Sequence, residues 1–395
     1  MNARHAGSFR ALLGLNFLVW FAGYQVFPVV PLHLRDLGAT LAGSGRFAAF
    51  LTVGTAVGAL LMGRLGDRVG PARLFRLSAA GLVVVLASYG LLSQVWPFLL
   101  LAPLHGLLWA GMKTSGMAMA THLLPVEDRA SGLSWFGLSG ALGVALGPLA
   151  GLQAFPVVGF RLQILATAAL FVLLAFGPGL GALRAEPISQ AEGPWPGRRI
   201  LIPGLIIFAW GWAQGLLPPF SAQEARHLGL AWPSALLTCF ALGMLASRSA
   251  FGLMGRGMAP LRPLPALMAG GLAALLLLGL LPGGLLRHAL GGALFGACLG
   301  LSHTLLFAEA SARCGPRRTE AVGLMYLAYE TGMGLGAGLV GQAMEHVARL
   351  RGDGFAFRSG WLLGGLLILA ALPLALRARR RTLATPGGPT LTPGP

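Results

Sequence analysis

Charge is what this sequence has least of. Only 10% of its 395 residues are Asp, Glu, Lys or Arg, where a soluble globular domain carries about 25%. Lysine occurs once, at Lys113, and the acids number 12. Cysteine occurs three times (Cys239, Cys298 and Cys314), too dispersed for a metal or redox spacing, so neither a disulfide nor a metal site is expected. The few histidines and acids also lack metal-ligand spacing. No Gly-rich loop ends in Gly-Lys-Ser/Thr, which leaves ATP drive unsupported. No enzyme signature is present and no cofactor is expected. What fills the space is apolar: 55% of the residues are hydrophobic and 60 are glycine. No soluble core of this size is so apolar, whereas small residues in such numbers suit close helix packing in lipid. The chain reads as an integral membrane protein whose first partner is the bilayer.

The net charge of +17 would fit a nucleic-acid partner, but the arginines sit in short connections between apolar runs, so no nucleic acid is expected. The preference for arginine over lysine fits a GC-rich coding bias better than a chemical need. Apolar runs of about 20 residues, the length that crosses a bilayer, number twelve. Those used below are span 1 (10–33), span 2 (43–63), span 4 (97–123), span 5 (130–154), span 7 (200–220), span 10 (286–312) and span 11 (319–346). The first run leads into further spans, as a cleaved signal peptide would not. Pro28, Pro103 and Pro148 lie inside spans, where neighbouring helices tolerate the kinks they cause. Twelve spans put both termini on one side, and that side carries 20 of the 28 arginines. The excess places both termini in the cytoplasm of a multi-pass plasma-membrane protein, in a bacterium the inner membrane. The fold class is all-α, with twelve transmembrane helices in two pseudo-symmetric six-helix bundles. Residues 1–183 form the first bundle, the proline-rich stretch 184–199 a cytoplasmic linker, 200–377 the second bundle, and 378–395 a disordered cytoplasmic tail.

Between spans 2 and 3 stands Gly63–Arg76, GRLGDRVGPARLFR, with four arginines and one acid. Gly63, Gly66 and Gly70 permit a tight turn, and Pro71 suits the first turn of a following helix. A positive-inside loop explains the arginines but not Asp67 among spaced glycines. The stretch resembles the helix 2–3 loop of the major facilitator superfamily, G-x-L-x-D-R-x-G-x-x-R, at Gly63, Leu65, Asp67, Arg68, Gly70 and Arg73. The resemblance implies a gating role for these residues. Asp67 would accept hydrogen bonds from the start of span 11, near 319–322, to close the cytoplasmic side.

The halves repeat weakly, as such a family implies. Gly63, Gly66, Pro71 and Arg73 align with Gly252, Gly255, Pro260 and Arg262, with Arg256 in place of Asp67. Pro125 and Gly132 match Pro316 and Gly323, and Gly143 and Gly147 match Gly334 and Gly338.

Span 5 contains Gly143, Gly147, Pro148 and Gly151, which resemble the G-x-x-x-G-P-x-x-G signature of the superfamily's exporters. Generic small-residue packing explains the glycines alone; the proline in register favours the export signature. In span 4, His105, Trp109, Lys113 and Gly116 share one helical face. A lysine within the bilayer is by default a functional candidate, although it can also snorkel to an interface. The family's arginine pattern in span 4 is missing, because Ala102 and His105 stand at its Arg and Gln positions. Glu330 in span 11, after Tyr326 and Tyr329, is the only acid placed deep in a span, and Glu309 near the end of span 10 is expected to pair with a loop arginine. Glu330 and Lys113 either carry a coupling proton and substrate or form a static neutralising pair. His303 in span 10 reads as a packing residue more than a titrating one. Family resemblance puts spans 1, 4, 7 and 10 around a cavity. Asn16, Tyr24 and Gln25 of span 1 and Trp210, Trp212 and Gln214 of span 7 would supply it with polar and aromatic groups.

The implied function is secondary transport by alternating access: proton-coupled export of small, partly hydrophobic compounds by a monomer. Import by symport is the alternative, and a non-transporting membrane sensor a more distant one.

Overall fold

A computed structural model describes residues 3–124, 129–176, 196–254, 261–314 and 317–384. These residues form helices joined by short turns. Eight helices are long and apolar enough to cross a membrane, and Ala235–Phe251 and Leu264–Leu280 are shorter apolar ones. In order the helices are α1 (Ala3–Asp36), α2 (Leu41–Val69), α3 (Pro71–Tyr89), α4 (Val95–Leu123) and α5 (Arg129–Phe176). There follow α6 (Gly197–Gln214), α7 (Leu217–His227), α8 (Ala235–Met254), α9 (Leu264–Leu280) and α10 (Leu285–Cys314). Last come α11 (Arg318–Leu335), a π-helical turn (Gly336–Val340), α12 (Gly341–Arg351) and α13 (Asp353–Ala384). Gly159 breaks α5 in two with φ 76° and ψ 163°. The pair α6–α7 and the run from α11 through the π turn to α12 each make one traverse. The sum is the twelve-helix layout read from hydropathy.

The chain divides into two units, Met1–Ser189 and Gln190–Pro395. Their internal pairings correspond. In the first, α1 packs on α5, α2 on α4 and α3 on both α4 and α5; in the second, α6 packs on α11, α8 on α10 and α9 on both α10 and α13. The turns correspond as well. Ala39 N–H donates to Leu34 O at 2.8 Å, and Leu230 N–H donates to Ala225 O at 2.9 Å, each closing a helix end over a glycine. Gly352 turns α12 into α13 with φ 83° and ψ 165°, the same conformation that Gly159 adopts between its two helices. A side chain at either site would be strained, because φ in this range favours glycine.

Packing shifts the register of the repeat. A Cβ at Gly143 would stand 2.6 Å from Phe17 O, and one at Gly147 2.7 Å from Phe21 O. In the second unit it is Gly332 that abuts Phe208 O and Gly336 that abuts Trp212 O. Gly143 and Gly147 therefore correspond to Gly332 and Gly336, two residues before the Gly334 and Gly338 expected from sequence. An alternating Gly run offers both sets, and only the facing helix selects one. Pro125, Pro316, Gly255, Arg256 and Pro260 lie outside the described residues, as does most of the 184–199 linker.

Two boundaries differ from expectation. Gly63–Arg76 is not a loop: α2 runs to Val69, α3 begins at Pro71, and Gly70 alone, with φ 86°, makes the turn. Gly63 and Gly66 are helical, and Gly70 N–H donates to Gly66 O at 2.9 Å. The tail expected to be disordered from 378 is helical to Ala384, with Ala378 buried; residues 385–395 lie outside the described part.

Candidate functional site

In the first unit the three glycines of the span-5 signature meet α1. Gly143 faces Phe17 and Phe21, Gly147 faces Phe21 and Tyr24, and a Cβ at Gly151 would lie 3.0 Å from the Cα of Gln25. Pro148 lies inside α5 without ending it. This flat ridge lets the two backbones approach and sets the height of the polar residues on α1. Asn16 donates to Phe136 O at 2.8 Å and to Ser139 Oγ at 2.9 Å, and its Oδ1 accepts from Trp20 Nε1 at 3.1 Å. Both N–H groups and the carbonyl are engaged, so Asn16 braces α1 against α5. Gln25 is buried.

Above the ridge, Trp109 of α4 meets Trp20 edge-on at 5.5 Å and Phe27 at 5.3 Å, with Tyr24 packed on both Trp20 and Phe27. His105, only 1% exposed, is held inside the unit between Phe27 at 6.1 Å and Tyr89 at 5.9 Å. Lys113, one turn beyond Trp109, is half-buried. Overpacking tests the ridge. Gly147→Ala is expected to destabilise the protein by about 1–3 kcal/mol, because the new methyl cannot fit without moving the α1 backbone. Thermal unfolding in detergent measures it, and an unchanged midpoint would show that the ridge does not bear on α1.

Asp67, Arg68 and Arg73 are exposed around the Gly70 turn. Asp67 falls in the last turn of α2, the end at which the helix dipole disfavours a carboxylate. Helix stability therefore does not account for it.

In the second unit Tyr329 donates its hydroxyl to Gln214 Oε1. His303 stacks on Phe307 at 4.1 Å and lies 5.6 Å from Tyr329 and 5.9 Å from Tyr326, and Phe307 meets Tyr326 edge-on at 4.6 Å. Glu330, on α11 beside Tyr329, is only 8% exposed. The structure thus gathers Gln214, His303, Tyr326, Tyr329 and Glu330 in one neighbourhood of the unit. Trp210 is instead fully buried against Phe295, and Trp212 donates to Leu363 O at 3.2 Å. Lys113 belongs to the first unit and Glu330 to the second.

Glu309 pairs as expected with an arginine just past span 10, Arg313, at 2.6 Å, although α10 extends far enough to carry both. Two features escaped sequence reasoning. Arg248, counted with the arginines of the cytoplasmic side, stands within α8 and donates from Nε to Gly300 O at 3.2 Å. The larger omission is a buried ionic cluster. Glu224 of α7 accepts from Arg287 Nη2 at 2.5 Å and from Trp361 Nε1 at 2.7 Å, and His288 Nε2 lies 3.2 Å from it. Arg287 also donates to Leu278 O at 2.5 Å, and His288 Nδ1 lies 3.1 Å from Gly284 O. Glu330 is therefore not the only deep acid: Glu224 is 2% exposed inside the Gly197–His227 traverse. Ending span 7 at residue 220 put it outside. The adjacent Arg287-His288 pair at the head of span 10 was the available signal.

Two bundles of matched helices, each with a few polar and aromatic residues on an otherwise apolar framework, define a multi-pass membrane carrier. The family model of the Major Facilitator Superfamily matches residues 12–337, and the chain belongs to that superfamily. Among curated proteins it is 30% identical over 185 residues to "Multidrug resistance protein MdtG" of Citrobacter koseri, covering 45% of each chain. It is 30% identical over 183 residues to the same-named protein of Escherichia coli K12 (strain DH10B), covering 45% of this chain and 44% of the relative. The matched stretch thus spans less than half the length of these relatives. Among solved structures, a bacterial homologue of the lysosomal transporter Spinster aligns over 97% of this chain and 98% of its own with a TM-score of 0.75 at 14% identity. The nucleoside transporter NupG aligns over 94% and 99%, with the same score and identity. At such identity these two show the fold.

Proposed function

We propose that this transporter exports small, partly hydrophobic compounds in exchange for protons, by alternating access, from a bacterial inner membrane with both termini in the cytoplasm. The observation that carries the direction is the Gly143–Gly147–Pro148–Gly151 ridge seated on α1, in the pattern that resembles the exporters' signature. The multidrug-resistance names of the sequence relatives support the same reading. The aromatic faces around Trp109 in one unit and Tyr326 in the other suit apolar substrates. Import by symport is the competing direction. Accumulation assays in a pump-deficient host decide between them: export lowers the steady-state level of at least one compound in a broad panel, whereas a panel showing only increased uptake establishes import.

The gate is proposed at Asp67. An acid at a helix C-terminus is disfavoured by the dipole of its own helix and gains from a donor supplied by another element. Asp67→Asn is expected to weaken the state in which the cytoplasmic side is closed. Spin-label distances across that side measure the shift, and a state distribution identical to wild type would exclude the gate.

A further inference from the structure

The side chain whose surroundings remain unexplained is Arg248. It sits on α8 six residues from the end of the helix, so roughly 9 Å inside it. Among the described residues its one hydrogen bond, Nε to the carbonyl of Gly300, fixes the plane of the guanidinium without neutralising it. Among the described residues no carboxylate lies within ion-pair distance of it. A half-buried cation in a membrane-spanning helix is costly unless it has work or a partner, and its two terminal amino groups retain four N–H donors.

The surroundings are aromatic and specific. Gly300, whose carbonyl holds Nε, stands one turn before His303 on α10, and Tyr326 and Tyr329 of α11 lie 5.9 and 5.6 Å from that ring, all three within electrostatic range of the guanidinium. The phenol of Tyr329 is held by Gln214, and the His303 ring is held flat against Phe307, tilted by only 15°. Phe307 in turn stands edge-on to Tyr326 at 61°. The result is a cation beside walls of fixed rings. The ionisable groups facing it are His303 and the two tyrosines, and Glu330 also interacts with Tyr326.

We infer that Arg248 and the Tyr326–His303–Phe307 walls form an anion subsite. It takes the carboxylate of a substrate whose body is a planar aromatic. A guanidinium presents paired N–H donors in the geometry a carboxylate accepts, and flat rings offer stacking faces to an aromatic body. The subsite rests on the transporter reading and narrows its substrate class to aromatic monoanions, but it does not depend on the direction of transport.

Equilibrium binding to the purified full chain tests it, with no transport required. Three probes share one ring system: 1-naphthoate, 1-naphthylmethylammonium and 1-naphthylmethanol. Calorimetry in detergent is expected to show saturable binding of naphthoate, with the ammonium at least about tenfold weaker. Arg248→Gln should weaken naphthoate by about tenfold or more, the loss expected for a charge-assisted hydrogen bond, and leave the alcohol unchanged. Arg248→Lys, which keeps the charge but not the fork, should fall between. If Arg248→Gln does not fold, the lysine variant and the charge preference of the wild type decide. Binding that survives in lipid-free detergent but disappears in phosphatidylglycerol nanodiscs would mean that a lipid headgroup is the natural anion and would overturn the substrate assignment. Equal affinity for ammonium and naphthoate, no naphthoate binding, or an unchanged Kd in Arg248→Gln would overturn it too. Naphthoate binding without vectorial transport would sink the transporter reading and leave the subsite standing.

Discussion

Glu224→Gln is expected to destabilise the second unit by about 3–5 kcal/mol, the usual penalty for removing one partner of a buried ion pair. The carboxylate holds together three elements of that unit: α7, which carries it, α10 through Arg287 and His288, and α13 through Trp361. All four side chains are at most 6% exposed. Without the charge, Arg287 keeps only carbonyl partners at Leu278 and Leu281. The measurement is the melting temperature of the purified protein, with Glu345→Gln as the comparison, since its partner Arg349 is 73% exposed and such a solvent-screened pair is worth roughly 0–1 kcal/mol. A double variant, Glu224→Leu with Arg287→Met, should recover part of the loss, because a buried pair replaced by apolar residues of similar volume is often neutral or better. Equal melting temperatures for Glu224→Gln and Glu345→Gln would show that the cluster contributes nothing.

Loss of coupled transport is the expected result for Lys113→Ala and for Glu330→Gln, each alone. The proposal is that both groups serve the coupled cycle, one carrying the coupling proton and the other engaging substrate. Charged groups at membrane depth are costly and mark transport pathways. Glu330 is buried beside the Tyr329–Gln214 bond, and Lys113 lies one turn from the Trp109 aromatic cluster. Transport into inverted vesicles driven by a pH gradient is the measurement. Each single variant should fall to the level of empty vesicles, and the double variant should recover stability but not proton dependence. A Glu330→Gln protein with unaltered pH-dependent transport would refute the coupling role. A static neutralising pair predicts the opposite pattern, with transport restored in the double variant.

Much of the fold was legible because a bilayer imposes length and composition on whatever crosses it. Runs of about 20 apolar residues marked the traverses. The turn at Gly70–Pro71 followed from two residues with opposite backbone needs, one for positive φ and one for a helix start. The small-residue spacing of span 5 announced a close helix contact before its partner, α1, was known. The candidate site was legible only in part. His303, Tyr326, Tyr329, Glu330 and Gln214 do gather in one unit, whereas Asn16 is engaged in bracing and His105 is enclosed in the interior.

By itself the sequence determined the class, the number of traverses and the family, since each depends on local composition or on spacing along one helix. Tertiary structure alone decided which face of each helix meets which neighbour. In soluble proteins the polar face gives that away, but a helix apolar on every side carries no such mark. Hence Gly332 and Gly336, not Gly334 and Gly338, meet α6. Hence also Glu224 could be read as lying outside its span, and Arg248 as one more arginine of the cytoplasmic side. Their partners lie on helices distant in sequence, at Gly300 for one and at Arg287, His288 and Trp361 for the other. Only packing brings those positions together, because a buried charge is held wherever the fold supplies its donors and acceptors.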